Sequence, residues 1–495
     1  MDLLRKQGRT SAICVGLIAF LAIFLKFYEP GLGFSSSTYG ALAHNILKTG
    51  SWFHPRLGPQ LFDPFVDHPY LVIWLDALVF ALFGASAQTI RLVSSVAGVA
   101  VVMAVFLITR RRINERAALF ATLGLLFVNE FMHFASSGWL DMPMIALAWM
   151  GWLVLEKSQK SPRLLDSFGG GCLLGLSFLA KGVSALAIGP IFIFAIVQSR
   201  DQKKRCAAIF SGLIFPVVVF TALHFHSQHF IFWKPYFFRQ LVAQNQMQRQ
   251  ITSLRDFLWY VGDILRYGHI VTLIGLAGVY KMFRTGRRDL ALLIAAELAL
   301  HIAAYSLSSR HYGQYVIPVF PWLAISSGFY LQNFWKNVQP EQLAKAALVT
   351  AVVGFVVLDL LPIRVHSGTD HPFLGFSTSL DQLKDDGVMY FYGRVEDQPT
   401  WEDMASDIPW YWHREPRIAD VDTILTKLRL EDPKALGIMP YDLYQHEVAR
   451  RLPSTATLRL CMWNETYAII ADQRLCPEDF IGYRPLSGSQ GRGAW

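Results

Sequence analysis

Five segments far apart in the chain hold the residue types needed for group transfer: Asp67-His68, Asp141, Lys181, the stretch from His224 to Arg239, and Arg310-His311-Tyr312. A carboxylate such as Asp141 or Asp67 can orient a nucleophile or take its proton, and a cation can hold a departing oxyanion. Lys181, Arg239, Arg310 and His68 are the candidates for that second role, and arginine's planar fork can grip two phosphate oxygens. Each residue also has a plainer reading. Asp141 stands before Met142-Pro143 at a helix start, where an N-cap aspartate is common; Asp67 suits a turn before His-Pro, and Asp76 a helix face. His224, His226 and His229 (HFHSQH) invite a metal reading, and Asp67 with one of them could hold Zn²⁺ or Mn²⁺, with Mg²⁺ as a further option. Histidines at the interfacial end of a membrane segment are the preferred reading there, so a metal stays unassigned. The following FWKPYFFRQLVAQNQMQRQ sets Lys234, Arg239 and Arg249 among aromatics, as a lid over lipid head groups or an interfacial anchor would.

These segments need elements that bring them to one place, and the composition says which. Of 495 residues 53% are hydrophobic and only 17% charged, with mean hydropathy +0.33. Several apolar runs approach the roughly 20 residues that cross a bilayer. Eleven spans can be laid out at 11–27, 89–109, 117–135, 141–156, 165–180, 182–198, 206–225, 260–281, 289–307, 314–332 and 343–361. With the N-terminus inside, Arg110-Arg111-Arg112, Lys157 to Arg163, Arg200 to Arg205, Lys281 to Arg288 and Lys336 all fall on the inner side, as the positive-inside rule asks. Every candidate segment then faces the outer side. Lys181 lies at an outer end, against the charge bias, which favours a functional role. The net charge of +8 follows from the inner loops and does not indicate nucleic acid. The first apolar run has no small-residue cleavage site after it and reads as an uncleaved span. Residues 69–84 are short, contain Asp76 and would invert the topology if counted as a span, so they read as an interfacial or re-entrant helix; residues 38–48 read as a second interfacial helix. The expected fold is a polytopic α-helical membrane protein of about 11 transmembrane helices, over residues 1–362, whose outer loop 28–88 carries the interfacial helices.

From about residue 363 the chain becomes polar. VMYFYG, ALGIMPY, ATLRLCMW and YAIIAD read as strands, and DVDTILTKLRL and YDLYQHEVARRL as helices. Residues 363–495 are thus expected to form an extracytoplasmic α/β domain. Cys461 and Cys476 lie in it and could pair outside the cytoplasm or stay as thiols. Cys14, Cys172 and Cys206 show no ligand spacing.

Five motifs, in order, resemble the GT-C glycosyltransferases of the bacterial aminoarabinose transferase and protein O-mannosyltransferase kind. They are the helix beginning at Tyr39 (YGALAHNILKTGSWFHP), Asp67-His68-Pro69-Tyr70 running into LVIWLDALVFALFG, Leu140-Asp141-Met142-Pro143, Phe178 to Pro190 with Lys181, and Arg310 to Ala324 (RHYGQYVIPVFPWLA). The resemblance covers most of the membrane region. It implies a polyprenyl-phosphate sugar as donor, inversion at the anomeric carbon, and a bacterial inner membrane with the C-terminal domain in the periplasm. Lipid A or another envelope glycolipid would be the acceptor, with protein hydroxyls next. It assigns Asp141 and Asp67 to acceptor activation and His68, Tyr39, Lys181, Arg239, Arg310 and Tyr312 to substrate binding.

The chain departs from that family at one point. The acidic pair that precedes the Tyr39 helix in the family falls on Ser35-Ser36 here, and serine is no base near neutrality. Three readings stay open: Asp67, Asp63 or Glu29 takes the role, the acceptor needs little activation, or the chain binds polyprenyl phosphate without transferring sugar. A secondary transporter or lipid flippase is the reading from another class. It fits less well, since no internal repeat is visible and the ionisable groups sit at one end of the spans.

Overall fold

Apolar runs without water must satisfy their own backbone groups, and helices do so within one segment. The computed structural model describes residues 2–25, 34–57, 64–160, 163–199, 202–243, 258–306, 313–334, 336–360, 388–392, 415–430, 434–452, 458–463 and 467–472. In chain order the helices are α1 (Asp2–Phe24), α2 (Phe34–Thr49), α3 (Leu71–Phe83), α4 (Ala87–Arg112), α5 (Glu115–Leu126), α6 (Asn129–Ala135), α7 (Asp141–Lys160), α8 (Leu164–Lys181), α9 (Gly189–Gln198), α10 (Lys203–Gln228), α11 (Trp233–Phe237), α12 (Trp259–Arg284), α13 (Arg288–Ser306), α14 (Phe320–Leu331), α15 (Pro340–Leu360) and α16 (Val421–Leu430). The chain divides into two units: residues 1–28 with 66–365, and residues 29–65 with 366–495.

The first unit is helical. Among the described residues four helices are long and apolar enough to cross a membrane: Ala87–Arg112, Leu164–Ala185, Lys203–Gln228 and Arg288–Ser306. The pair α5 and α6 passes the same test as one segment, bent by 75° at the break between them. Lipid-facing character is plain on α10, where Phe210, Phe215, Val218 and Phe225 are all more than half exposed, a greasy surface that a water-soluble protein would cover. The helix α3 has 13 residues, about 20 Å at 1.5 Å per residue, against a hydrocarbon core of about 30 Å. Its Asp76 is buried. The unit is therefore a helical membrane domain.

Small residues set its tightest contacts. Gly171 and Gly175 of α8 face the Ile209 and Leu213 carbonyls of α10, where an added Cβ would lie 2.2 and 2.3 Å from those oxygens. Spacing of this kind lets helix backbones approach closely in lipid. Ser177 of α8 donates a 2.8 Å hydrogen bond to the Met144 carbonyl of α7. The α7–α8–α10 layer is thus pinned, and it carries the site described below.

In the second unit, α2 buries Ser36, Ser37, Thr38 and Tyr39, and Asn45 caps the following turn through the Arg56 carbonyl at 2.9 Å. The C-terminal part forms a five-stranded sheet in the order β2-β1-β3-β5-β4, with β1 (Val388–Tyr392), β2 (Glu415–Ala419), β3 (Leu436–Pro440), β4 (Leu458–Trp463) and β5 (Tyr467–Asp472). The pairs β1–β2 and β1–β3 are parallel, and β3–β5 and β4–β5 antiparallel. Ile424, Leu425 and Leu428 of α16 pack with Tyr390, Met439 and Ile470 of the sheet. Asp420 starts α16 by accepting the Thr423 backbone N–H at 2.7 Å, which lowers its carboxyl pKa. Cys461 is disulfide-bonded, whereas Cys14, Cys172 and Cys206 are free thiols; Cys476 lies outside the described residues.

Candidate functional site

Two adjacent helix ends create the centre of the site. Asp141 is the first residue of α7 and Lys181 the last of α8. An antiparallel pair places a helix start beside a helix end, and the dipoles favour an acid at the first and a base at the second. Lys181 Nζ donates to Asp141 Oδ1 at 2.5 Å, and the side chains are 5% and 3% exposed. The N-cap reading gives way in detail: the Leu140 carbonyl accepts from Met144 N, so Asp141 is inside the first turn. Its second oxygen, Oδ2, is buried and has no hydrogen-bond partner among the described residues. A buried carboxylate oxygen normally has one, so Oδ2 is placed to receive a donor from beyond the described residues.

The chain directly after Lys181 is built to fix it. Gly182 has φ +69°, and a Cβ there would lie 1.8 Å from the Tyr236 hydroxyl. Only glycine meets both conditions. The Val183 backbone N–H donates to that Tyr236 hydroxyl at 2.7 Å. On its other side the Lys181 ammonium stands 5.6 Å from the centre of the Tyr315 ring, a cation–π distance. Tyr305 stacks on Tyr315 with centroids 4.4 Å apart and donates to the Ser184 carbonyl at 3.3 Å. Tyrosine rings thus hold the ammonium laterally.

A second ion pair lies beside the first. Arg239 Nε is bonded to Asp67 Oδ1, with side chains 33% and 22% exposed, and Gln240 Nε2 donates to the Asp67 carbonyl at 2.8 Å. His68 joins the two pairs. Burial first, then the charges of Lys181 and Arg239, pull its imidazole down to a pKa of about 3, while a hydrogen bond to the Lys181 backbone opposes the shift. Burial and these charges favour the neutral ring of His68 near neutrality, a hydrogen-bonding group, where the sequence reading set it with Lys181, Arg239 and Arg310 as a cation for phosphate. Tyr70 is buried, and burial with the neighbouring Asp67 charge raises its hydroxyl pKa.

The histidine cluster does not converge. His224 is buried against Tyr70, Phe220 and Phe232, with Nδ1 3.2 Å from the Phe230 carbonyl. His226 and His229 are exposed. Among the described residues no three His, Cys, Asp or Glu side chains group as metal ligands.

The structure thus brings together Asp67, His68, Asp141, Lys181 and Arg239 in one unit. Tyr39 lies in the other unit, on α2 after Ser35-Ser36, and the first turn of α2 holds no acid. Asp63, Glu29, Arg310 and Tyr312 lie outside the described residues. Sequence reasoning missed Tyr315, Tyr305 and Tyr236. Tyr315 stands inside the RHYGQY motif, three positions past Tyr312, and its place in that motif was the available signal. Below the ion pair, Ala148, Leu174, Ser177, Phe178, Ala185, Phe192 and Leu213 line an apolar cavity of about 290 Å³.

Comparison with known proteins fits this geometry. Residues 67–225 match the dolichyl-phosphate-mannose-protein mannosyltransferase family. An undecaprenyl phosphate-α-4-amino-4-deoxy-L-arabinose arabinosyl transferase of Pseudomonas fluorescens is 23% identical over 365 residues, which cover 69% of this chain and 60% of that protein. The corresponding Pseudomonas aeruginosa protein is 25% identical over 392 residues, 74% of this chain and 68% of its own length. The chain thus spans less than two thirds of the P. fluorescens relative. Among solved structures, ArnT from Cupriavidus metallidurans bound to undecaprenyl phosphate superposes with a TM-score of 0.68 at 15% identity, over 93% of this chain and 97% of that one. The apo oligosaccharyltransferase of Archaeoglobus fulgidus gives 0.53 at 12% identity, over 88% and 70%. In its fold, and in the family match that begins at Asp67 and takes in Asp141 and Lys181, the chain resembles the GT-C membrane glycosyltransferases of the aminoarabinose-transferase and protein-mannosyltransferase kind.

Proposed function

We propose that the chain is a glycosyltransferase that moves a sugar from a polyprenyl-phosphate carrier to an envelope acceptor, lipid A or another glycolipid first and a protein hydroxyl next. The observation that carries this reading is the buried Asp141–Lys181 pair, whose Asp141 Oδ2 has no partner among the described residues, beside Arg239 and Asp67. The acceptor oxygen attacks the anomeric carbon as the bond from that carbon to the phosphate oxygen breaks. Polyprenyl phosphate leaves with the electron pair. Lys181 and Arg239 meet the growing charge on the phosphate, and His68 adds a neutral hydrogen bond. Asp141 Oδ2 orients a hydroxyl acceptor and takes its proton, with Asp67 as the second carboxylate; an acceptor that is already an anion needs orientation alone, which suits Ser35-Ser36 in place of an acidic pair. The apolar cavity beneath Lys181 receives the first isoprene units of the carrier. By the family resemblance, Tyr39, Arg310 and Tyr312 complete substrate binding.

In this reading the helical unit crosses a bacterial inner membrane about eleven times. The membrane domain spans 1–362, with its outer loop at 28–88, and the α/β domain 363–495 stands in the periplasm, where the Cys461 disulfide is stable. A divalent cation (Zn²⁺, Mn²⁺ or Mg²⁺) is a further proposal, with Asp67 and substrate oxygens as its ligands; loss of turnover in EDTA is what would support it.

The test is sugar transfer by purified protein in lipid from a panel of radiolabelled polyprenyl-phosphate sugars. Transfer from at least one donor is expected. Binding of polyprenyl phosphate with no transfer from any donor would favour the non-catalytic reading that Ser36, buried on an acid-free turn, keeps open. Neither binding nor transfer would refute both.

A further inference from the structure

The opposite end of the membrane unit holds a second cavity that sugar transfer does not use. Ala277, Tyr280, Lys281 and Arg284 fall on one face of α12, and Tyr330, Asn333 and Phe334 approach from the end of α14. Together they line a groove of about 620 Å³. The groove is far from the donor site. Tyr260, at the start of α12, lies 6.4 Å ring to ring from Tyr315, which backs Lys181. From Tyr260 the chain runs along α12, through a break at His269 (φ 44°, ψ −128°), to Lys281 and Arg284, at the end where the basic loops gather.

Three features give the groove its chemistry. Among the described residues its charged members are Lys281 and Arg284, and no carboxylate lines it. Lys281 is held in place: its ammonium lies 5.9 Å from the Phe329 ring and 5.1 Å from the Tyr330 ring, and 3.4 Å from the Tyr330 carbonyl. A cation fixed by rings and a carbonyl is preorganised for an anion, unlike a loose surface lysine. Finally, the α12 surface leading from the groove toward the bilayer centre is apolar and open, with Leu276, Leu273 and Ile270 46%, 57% and 63% exposed. A free phosphate has no use for such a track, but an acyl chain does.

We propose that this groove binds the head group of an anionic phospholipid of the inner leaflet, its phosphate on Lys281 and Arg284, its polar head near Asn333 and Tyr330, and a chain along Leu276 and Leu273. Basic pockets between membrane helices on the cytoplasmic side suit such lipids. The proposal stands independently of the sugar-transfer reading.

The experiment counts bound lipid by native mass spectrometry on the full-length protein, titrated with phosphatidylglycerol or with phosphatidylcholine of matched chains. The variants are Lys281→Gln/Arg284→Gln, the charge-keeping Lys281→Arg/Arg284→Lys, and Lys203→Gln/Lys204→Gln, whose two residues are exposed elsewhere on the chain. Phosphatidylglycerol should bind in preference to phosphatidylcholine. The Gln pair at the groove should weaken it by about tenfold or more, the Arg/Lys exchange should restore it, and the pair at 203 and 204 should leave it unchanged. Equal loss in both Gln pairs would show general surface charge and overturn the proposal. So would equal binding of phosphatidylcholine, or displacement of the lipid by inorganic phosphate alone.

Discussion

Two ion pairs among the described residues of the membrane unit, one near each end, differ in what they leave unfinished. Arg112 pairs with Glu156 through both Nε and a terminal nitrogen, and Trp152 Nε1 donates to the same carboxylate at 3.0 Å. The network continues to Gln198 Oε1, and Arg205 donates to the Leu155 carbonyl at 3.0 Å. Every oxygen of Glu156 is used, as a purely structural pair requires. Asp141 and Lys181 are more deeply buried, yet Asp141 Oδ2 has no partner among the described residues, and its lysine rests on a tyrosine ring. A complete network braces helices; an incomplete one at greater burial is held by its surroundings and awaits a ligand. That difference, together with the neighbouring Asp67–Arg239 pair, marks the functional end.

Several substitutions test the contrast. The largest effect belongs to Lys181→Gln, which leaves Asp141 buried without its counter-charge. Such a break typically costs about 3–5 kcal/mol, so unfolding should occur at clearly lower denaturant and transfer should be lost. Arg239→Gln should behave differently, because its pair with Asp67 is partly exposed: the Tm should change little, while the Kd for polyprenyl phosphate rises about tenfold, the scale of one charge-assisted contact. Next comes Tyr236→Phe, which removes the acceptor of the Val183 N–H. About 1 kcal/mol of stability should go, with turnover falling as the Lys181 loop loosens. The smallest effect is a pH dependence. The His68 pKa is about 3 in the folded chain against 6.5 as reference, so between those values the unfolded chain binds a proton that the folded chain does not. Stability from this group is full above about pH 6.5 and declines as pH falls toward 3. Denaturation of His68→Gln across that range should show a shallower acid decline than wild type, and a parallel decline would contradict a neutral His68.

Much of this was legible in the chain, and the omissions have physical causes. Apolar length and flanking charge located the helices, because both are properties of a segment. Breaks inside them were hidden. Residues 117–135 read as one span, yet Val128 leaves the helical region between α5 and α6 with neither glycine nor proline to mark it. Residues 182–188 and 313–319 form 3₁₀ turns before α9 and α14, a backbone choice that hydropathy does not report. In the C-terminal unit four strands followed their alternating or apolar runs, and β2 was missed. It contains Pro416 and charged residues and lies at the sheet edge, where proline is tolerated. At the site, Asp67, Asp141, Lys181 and Arg239 stood out because charge in an apolar context is rare. Tyr315, Tyr305 and Tyr236 did not, since 18 tyrosines and 36 phenylalanines give an aromatic at almost every membrane-proximal position, and only the fold shows which rings back an ammonium.

The most direct measurement compares Asp141→Asn with Glu156→Gln in the same lipid system, reading sugar-transfer turnover and undecaprenyl phosphate binding together. The account predicts that Asp141→Asn lowers turnover by about 100-fold or more with carrier binding retained, while Glu156→Gln lowers stability and leaves turnover per folded molecule within about twofold. Equal turnover in wild type and Asp141→Asn, or an equal loss in both variants, would contradict it.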